Sequence, residues 1–292
     1  MNSVKLFYFS GTGNTKLVTE MLKSELEKKQ VMVTIEAIDA CIKSNKELSV
    51  SELDTVGICY PIMGFGSPRI INEFIKFLPR LSKKKLFILK TAADFIGINH
   101  NASARVIKKL EQKGYDVFYD RIIAMGSNWL VEYDDDLVKQ LYITAKEKVK
   151  HMSKELLEGR KRRYSPKLAV KLMTPLINWF EDEIGGRLFG RLLTVKRTCT
   201  KCKLCVMNCP VQNISLKNNG IEFGWKCIWC MKCIYLCPNK SITSRGFKFT
   251  ILKRGYDVKR IVNDPQIKGE YINEKTEDFM GHFYDYMNDP SI

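Results

Sequence analysis

Eight of the ten cysteines lie between Cys199 and Cys237, in two runs that share one spacing. The runs are Cys199-x2-Cys202-x2-Cys205-x3-Cys209-Pro210 and Cys227-x2-Cys230-x2-Cys233-x3-Cys237-Pro238. Clustered cysteines form disulfides in secreted proteins and bind metal in cytosolic ones. The N-terminus runs directly into a strand pattern without a signal peptide, so we expect a cytoplasmic protein whose clustered cysteines bind metal.

Two kinds of metal site use four cysteines each. Structural zinc takes four thiolates per ion, but it explains neither the third Cys-x2 step nor the Cys-Pro that ends each run. The repeat resembles the bacterial-type ferredoxins with two [4Fe–4S] clusters, over residues 198–246. In that family the fourth cysteine of each run binds the other cluster. The resemblance assigns one cluster to Cys199, Cys202, Cys205 and Cys237, and the other to Cys227, Cys230, Cys233 and Cys209.

A second candidate site is the segment Ser10-Gly11-Thr12-Gly13-Asn14-Thr15, between the first predicted strand and the first predicted helix. A helix N-terminus binds phosphate through its unpaired N–H groups and its dipole. The glycines let the backbone approach a ligand closely, and the hydroxyl and amide side chains add neutral donors. The Walker lysine and the third glycine of the dinucleotide pattern are missing, which disfavours ATP and NAD. The segment therefore suits a phosphate monoester.

The same segment resembles the FMN phosphate loop of flavodoxins, so we expect FMN as a cofactor. In flavodoxins the flavin lies at the C-terminal ends of the strands. The resemblance places two more loops beside the ring: Pro61, Met63, Gly64, Phe65 and Gly66 after the third strand, and Thr91, Ala92, Ala93, Asp94, Phe95 and Gly97 after the fourth. The Trp and Tyr that stack on the flavin in many flavodoxins have no counterpart there. Trp129 is a candidate to close the pocket; packing in the core or between domains is the alternative for Phe65 and Trp129.

The elements that position these loops alternate between strand-like and helix-like patterns. Strands are predicted at 4–9, 32–38, 55–60, 85–91 and 117–125, and helices at 14–29, 70–78, 102–113 and 134–159. This alternation predicts an α/β, flavodoxin-like, doubly wound, five-stranded parallel sheet in the order 2-1-3-4-5. The cysteine repeat predicts a small α+β bacterial-type 2[4Fe–4S] ferredoxin domain, C-terminal to the domain that contains this sheet.

The predicted organisation has four parts: a flavodoxin-like domain at 1–158, a basic and apolar helical linker at 159–197, the ferredoxin domain at 198–246, and an extension without a motif at 247–292. In the linker, Lys167, Lys171, Thr174 and Asn178 form one narrow polar stripe on an otherwise apolar helix. Pro175 is expected to bend or break that helix. We favour packing of the helix between the domains; the other interpretation is contact with a membrane surface.

The formal net charge of +16 concerns partners rather than fold. Within 198–246, seven basic residues oppose only Glu222, whereas ferredoxins of this type are usually acidic. Complementary charge steers encounter, so we expect an acidic redox partner, either ferredoxin-like or a larger reductase. No nucleic-acid motif accompanies the charge, and we expect no nucleic-acid partner. No run reaches the roughly 18 apolar residues of a membrane span.

Together the two halves resemble the fused flavodoxin–ferredoxin proteins of anaerobic bacteria and archaea. The resemblance implies an electron-transfer iron–sulfur flavoprotein that relays single electrons between an external redox protein and FMN. The alternative is an FMN-dependent reductase that passes electron pairs to a small organic acceptor such as a quinone. No catalytic acid or nucleophile–base pair can be assigned from residue order. Cys41 and Cys59 are interpreted as plain thiols, with Cys59 buried in a strand.

Overall fold

The fold is described from a computed structural model over residues 1–45, 48–164, 168–217, 220–277 and 279–289. The strands are β1 (Ser3–Tyr8), β2 (Met32–Ala37), β3 (Thr55–Pro61), β4 (Lys84–Ala92), β5 (Tyr115–Ala124), β6 (Leu193–Val195), β7 (Ile214–Lys217), β8 (Gly220–Phe223) and β9 (Ile242–Ser244). The helices are α1 (Asn14–Glu27), α2 (Ile38–Ser44), α3 (Arg69–Phe77), α4 (Ala104–Glu111), α5 (Asp135–Leu157), α6 (Leu168–Trp179), α7 (Gly186–Arg191), α8 (Leu204–Met207), α9 (Lys232–Leu236), α10 (Val258–Asn263) and α11 (Phe283–Asn288). Gly97–Ser103 and Lys248–Thr250 are 3-10 turns, and Phe180–Gly185 is a π-helical segment.

The first five strands form one parallel sheet in the order β2-β1-β3-β4-β5, which confirms the predicted flavodoxin-like topology. The inner strand β3 is buried from Thr55 to Tyr60 because helices cover both faces of a parallel sheet. Apolar side chains of α1 and α5 pack on one face, and those of α3 and α4 pack on the other. The parallel arrangement brings the loops after β1, β3 and β4 to one edge of the sheet.

The first domain differs from the sequence expectation in two places. Helix α2 follows β2 directly where the sequence predicts no helix, and it buries Ile38 and Cys41. Residues Gly97–Ser103 form a 3-10 turn, so α4 begins at Ala104 rather than at the predicted Ala102. The side-chain amide of Asn99 in this turn donates to the carbonyl of Asp94 at 2.9 Å, which holds the preceding loop. Cys59 is fully buried, as predicted.

The linker forms helix α6, which continues through Pro175 to Trp179, so the helix does not break at that proline. Proline removes the hydrogen bond to the carbonyl four residues earlier, which belongs to Lys171. Lys171 is exposed, so water can replace the missing donor. The chain then passes through the π-helical segment into α7. Lys167, the first residue of the predicted polar stripe, lies outside the described residues.

The small C-terminal fold is α+β, as predicted. Strands β6 and β9 pair antiparallel, as do β7 and β8. The short helices α8 and α9 lie within the two cysteine runs.

The extension after residue 246 is part of the first domain's core rather than an appendage. Tyr256, Ile261, Phe283 and Tyr286 are buried in the same apolar cluster as the inner face of α5. The Tyr286 hydroxyl accepts a hydrogen bond from the backbone N–H of Ala124 at 2.8 Å. In the part of the chain that is described, no helix is both long and apolar enough to cross a bilayer.

Candidate functional site

The two cysteine runs fold into loops with the same backbone geometry. The left-handed conformation occurs at matching positions of both loops, with φ of 54° at Lys201, 63° at Lys203, 56° at Trp229 and 60° at Met231. Such residues turn successive N–H groups towards the inside of a loop, which favours an anionic group there. The repeat in the sequence is therefore also a repeat in the conformation.

Backbone N–H groups donate to the cysteine sulfurs at equivalent places in the two loops. The N–H groups of Lys201 and Trp229 each lie 3.4 Å from the first sulfur of their run. Those of Asn213 and Ser241 lie 3.1 Å and 3.3 Å from the Sγ of Cys209 and Cys237. Donors aimed at sulfur stabilise thiolate charge and tune the potential of an iron–sulfur cluster.

The fold groups the cysteines in two adjacent sets. Burial raises the pKa of Cys233 well above its usual value, and the neighbouring Cys230, Cys227 and Cys209 add to the rise. The other set lines a separate cavity, which contains Cys199, Cys202, Cys205 and Cys237. We call these the inner set (Cys209, Cys227, Cys230, Cys233) and the outer set (Cys199, Cys202, Cys205, Cys237). They are the sets that the ferredoxin resemblance implies.

The chemistry of the inner set fits a metal cluster. Burial raises the pKa of Cys227 to about 12 and that of Cys230 to about 11, so at neutral pH these thiols stay protonated until a metal binds them. Among the residues that the structure describes, no three Cys, His, Asp or Glu side chains converge on one point closely enough for a single ion. Ligands of different irons in one cluster need no such convergence.

A cavity of about 400 Å³ lies where the loops after β1, β3, β4 and β5 meet. It is lined by Ser10, Gly11, Thr12, Asn14, Thr15, Pro61, Ile62, Met63, Gly64, Phe65, Thr91, Ala92, Ala93, Asp94, Ile96, Asn99, Gly126, Asn128, Trp129, Glu181, Trp229 and Cys230. Most of the residues expected to contact FMN are thus brought together. Trp229 and Cys230 belong to the ferredoxin-type half and Glu181 to the linker, and loop spacing alone gives no signal for any of them.

Gly13, Gly66, Phe95 and Gly97, which the sequence also places at the flavin, are not among the lining residues. Phe95 turns away and stacks on Tyr286 of the C-terminal extension, with ring centroids 4.5 Å apart. Gly13 has a positive φ at the turn into α1, and a Cβ atom on Gly66 would lie 2.2 Å from the side chain of Asn178.

The phosphate loop is fixed from inside the domain. The Ser10 hydroxyl accepts a hydrogen bond from the N–H of Gly13 at 3.1 Å. Gly13 precedes α1 with φ of 109°, a conformation that favours glycine. The hydroxyls of Thr15 and Thr91 are hydrogen-bonded to each other at 2.7 Å and buried. This bond ties the loop after β1 to the end of β4.

Two further side chains of the loop are engaged by distant segments. The amide of Asn14 donates to the carbonyl of Gly126 at 2.8 Å and accepts from the hydroxyl of Tyr256 at 2.6 Å. The Thr12 hydroxyl oxygen accepts from the amide of Asn128 at 2.5 Å, which leaves its hydrogen free for a ligand. The loop therefore offers backbone N–H groups and the Thr12 hydroxyl to a phosphate.

Two tryptophans line the cavity edge to face. The ring centroids of Trp129 and Trp229 lie 5.6 Å apart, with the ring planes at 85°. Both indole Nε1 atoms are buried and have no hydrogen-bond partner within the described part of the chain. A buried donor without a partner is costly, and a ligand with acceptor atoms removes that cost. The carbonyl and nitrogen acceptors of an isoalloxazine ring fit this requirement.

The inner cysteine loop is packed against the phosphate loop. A Cβ atom on Gly11 would lie 2.2 Å from the carbonyl oxygen of Cys230, so only glycine allows this approach. The glycine that the sequence assigns to phosphate binding therefore also admits the loop of the inner set.

Glu181 supplies a carboxyl to the cavity wall. A Cβ atom on Gly64 would lie 2.5 Å from its Oε2 atom, so the carboxyl lies against the loop after β3. Burial raises the pKa of Glu181 to about 7, and the charge of Asp182 adds to the rise, although the N–H of Gly64 opposes it. This carboxyl can hold or release a proton near neutral pH.

The comparisons with known proteins matched the two halves of the chain separately. Residues 191–238 match the model of the 4Fe-4S dicluster domain family. The N-terminal half is similar in fold to flavodoxin 2 from Bacillus cereus (15% identity over 53% of this chain and 98% of that chain, TM-score 0.40). It is also similar to an NAD(P)H:quinone oxidoreductase from Methanothermobacter marburgensis (13% identity over 56% of this chain and 98% of that chain, TM-score 0.39). No curated protein matches the sequence. The chain thus joins a flavodoxin-like fold to a 4Fe–4S dicluster domain.

Proposed function

We propose that the protein is an electron-transfer iron–sulfur flavoprotein that binds FMN in the 400 Å³ cavity and one [4Fe–4S] cluster on each cysteine set. The observation that carries the proposal is the position of Cys230, a member of the inner set, in the wall of the cavity that the phosphate loop also lines. When bound, the clusters supply one-electron transfer and the flavin accepts one or two electrons.

The order of the sites follows from their exposure. The inner set adjoins the cavity, and Cys209 within it is buried. The outer set includes the exposed Cys202. Cys205 of the outer set acts electrostatically on Cys233 of the inner set, so the two sets are neighbours. An external protein therefore reaches the outer set first, and the inner set lies between it and the cavity.

We also propose an acidic redox protein as the partner at the outer set. Lys201 and Lys203 are exposed within the outer loop, on either side of Cys202. Lys240 is exposed three residues after Cys237. A cationic surface around a redox centre raises the rate of encounter with an anionic partner.

Cofactor analysis of two matched glycine variants tests the proposed sites. Anaerobically purified protein should contain about eight irons and one FMN per chain, as two cubane clusters require. Gly11→Ala should lose FMN and disturb the inner set, because its Cβ would meet the Cys230 carbonyl. Gly97→Ala should keep both, since the nearest atom to its Cβ is the Tyr164 hydroxyl at 3.9 Å. Zinc in place of iron, or a chain that binds no flavin, would overturn the proposal.

One observation favours reductase activity as the second candidate function. Reduction of a quinone to a hydroquinone consumes two electrons and two protons, and the Glu181 carboxyl lies in the cavity wall as a proton source. If the cavity reduces such an acceptor, dithionite-reduced protein should convert a stoichiometric benzoquinone at a rate that Glu181→Gln lowers about 100-fold. An electron carrier should show little dependence on this residue.

A further inference from the structure

Helix α6 and the start of the π-helical segment expose a stripe of large apolar side chains. Leu172, Leu176 and Phe180 are 69%, 67% and 57% exposed. Met173 and Trp179 are about half exposed. At the angular step of an α-helix, these five residues span about 120° of one face. We call them the apolar stripe. Contiguous exposed apolar surface of this kind marks a contact with a protein or a membrane.

Two neutral polar residues of the same helix face the protein interior. Thr174 and Asn178 are 2% and 8% exposed. The amide of Asn178 donates to the carbonyl of Met63 at 3.0 Å, and the amide of Asn101 donates to the Thr174 hydroxyl. A surface helix of a globular protein normally buries its apolar side. Here specific hydrogen bonds hold the polar side inside and thereby direct the apolar stripe outwards.

The acidic residues of this segment are also turned towards the protein. Glu181 lies against Gly64. One carboxylate oxygen of Glu183 accepts from Arg69 at 3.2 Å and from Arg187 at 2.7 Å. Their charges are therefore directed away from the outer face.

The basic residues of the segment, in contrast, stay at the surface. Lys171 is exposed on the polar side of α6, and Lys161 before the helix and Arg191 after it are also exposed. The segment thus combines an outward face of leucine, methionine and aromatic side chains with exposed cations at its two ends. A second copy would bring charges of the same sign together, whereas an anionic bilayer complements both the apolar and the cationic features.

We propose that the apolar stripe docks on the surface of an anionic lipid bilayer, with α6 lying in the plane of the interface. The cationic flanks contact lipid headgroups and the apolar side chains enter the boundary of the acyl region. Trp179 and Phe180 are residue types that favour this depth.

Vesicle sedimentation tests the proposal with the complete, cofactor-loaded chain. The protein should sediment with vesicles of phosphatidylglycerol and phosphatidylcholine, and far less with phosphatidylcholine alone. Leu172→Gln/Leu176→Gln should lower the partition coefficient about tenfold or more, because two largely exposed side chains no longer enter the lipid. Met32→Gln is the matched control: Met32 is 69% exposed at the sheet edge and should not contribute.

A charge variant and an association measurement complete the test. Lys161→Glu and added salt should weaken binding to the anionic vesicles. Failure of the wild-type protein to bind those vesicles would overturn the proposal, as would equal binding by the double leucine variant. A concentration-dependent dimer that the leucine substitutions abolish would instead assign the stripe to a second copy of the chain.

Discussion

Glu181 and Glu183 lie two residues apart in the π-helical segment but have opposite surroundings. Burial, helped by the charge of Asp182, raises the pKa of Glu181 to about 7. Burial also acts to raise the pKa of Glu183, but hydrogen bonds from Arg187 and the charge of Arg69 outweigh it and hold that pKa below its usual value. The neighbouring Asp182 is also buried, which raises its pKa to about 6 against the opposing charge of Arg69. The segment therefore keeps Glu181 and Asp182 protonatable and pairs Glu183 with arginine.

A pH-dependent stability should follow from Glu181. Its pKa is higher in the folded chain than its ordinary 4.5, so the folded state binds more protons and the free energy of unfolding falls as pH rises from about 4.5 to about 7. Glu181→Gln should remove this loss and stabilise the protein at pH 8.5 by about 1–3 kcal/mol, with a clearly smaller gain at pH 5. Thermal unfolding of the anaerobically purified wild-type and variant proteins at the two pH values measures this difference in stability.

Glu183→Gln is the matched control for this experiment. It breaks the contacts with Arg69 and Arg187 and should lower the unfolding temperature at both pH values. If Glu181→Gln gave no gain at pH 8.5, the carboxyl would not be held in a buried setting as described.

At the scale of elements, the C-terminal extension completes a core that the first domain begins. Phe283 and Tyr286 in α11 are fully buried, and Phe283 packs beside Tyr133 and Phe95. Earlier in the extension, the backbone N–H groups of Tyr271 and Ile272 donate to the side-chain oxygen of Gln140 in α5, at 3.0 Å and 2.6 Å. Tyr256 contacts Asn14 of the phosphate loop. The extension therefore stabilises the domain that carries the cavity.

Two phenylalanines of this extension should respond very differently to substitution. Phe283→Ala should lower the free energy of unfolding by about 3–5 kcal/mol, because it leaves a cavity in the core. Phe279→Ala should change it by less than about 0.5 kcal/mol, since Phe279 is 78% exposed. Denaturant titration of both variants provides the comparison, and similar destabilisation by the two would contradict the packing of α11.

At the scale of the whole molecule, charge and exposure distinguish the two cysteine sets. The inner set lies beside the cavity, whereas the outer set lies at the surface among lysines. Under the proposed function, this asymmetry makes the outer set the place where an external redox protein exchanges electrons and the inner set the neighbour of the flavin. The net charge of +16 makes encounter sensitive to salt.

Electron transfer with an acidic ferredoxin should therefore slow as ionic strength rises. Lys201→Glu/Lys203→Glu should reduce the second-order rate constant at low salt about tenfold or more, because it reverses charge at the outer set. Lys29→Glu/Lys108→Glu changes the net charge equally at exposed positions of α4 and the α1–β2 turn, away from that set, and is the control. Stopped-flow absorbance measures both. A rate that does not depend on salt would contradict an acidic partner at this surface.

The fold and the two cofactor motifs could be predicted because they depend on spacing along the chain. The thiolates of one run follow each other at fixed short intervals, and the phosphate loop is six consecutive residues before a helix. The alternation of strands and helices likewise fixes the order of a doubly wound sheet, since crossover connections leave few topologies. These features can be recognised in the sequence without knowledge of any contact between distant segments.

The contacts that complete the site join residues far apart in sequence, and only the tertiary structure decides them. Gly11 meets Cys230, Glu181 meets Gly64, and Tyr256 meets Asn14. The face of the linker helix that packs on the protein is decided in the same way. From the sequence, its polar stripe could equally face solvent. The structure shows that the amide of Asn178 donates to the carbonyl of Met63, which places this residue inside. Helical periodicity gives the angle between side chains but does not say which side the rest of the protein covers.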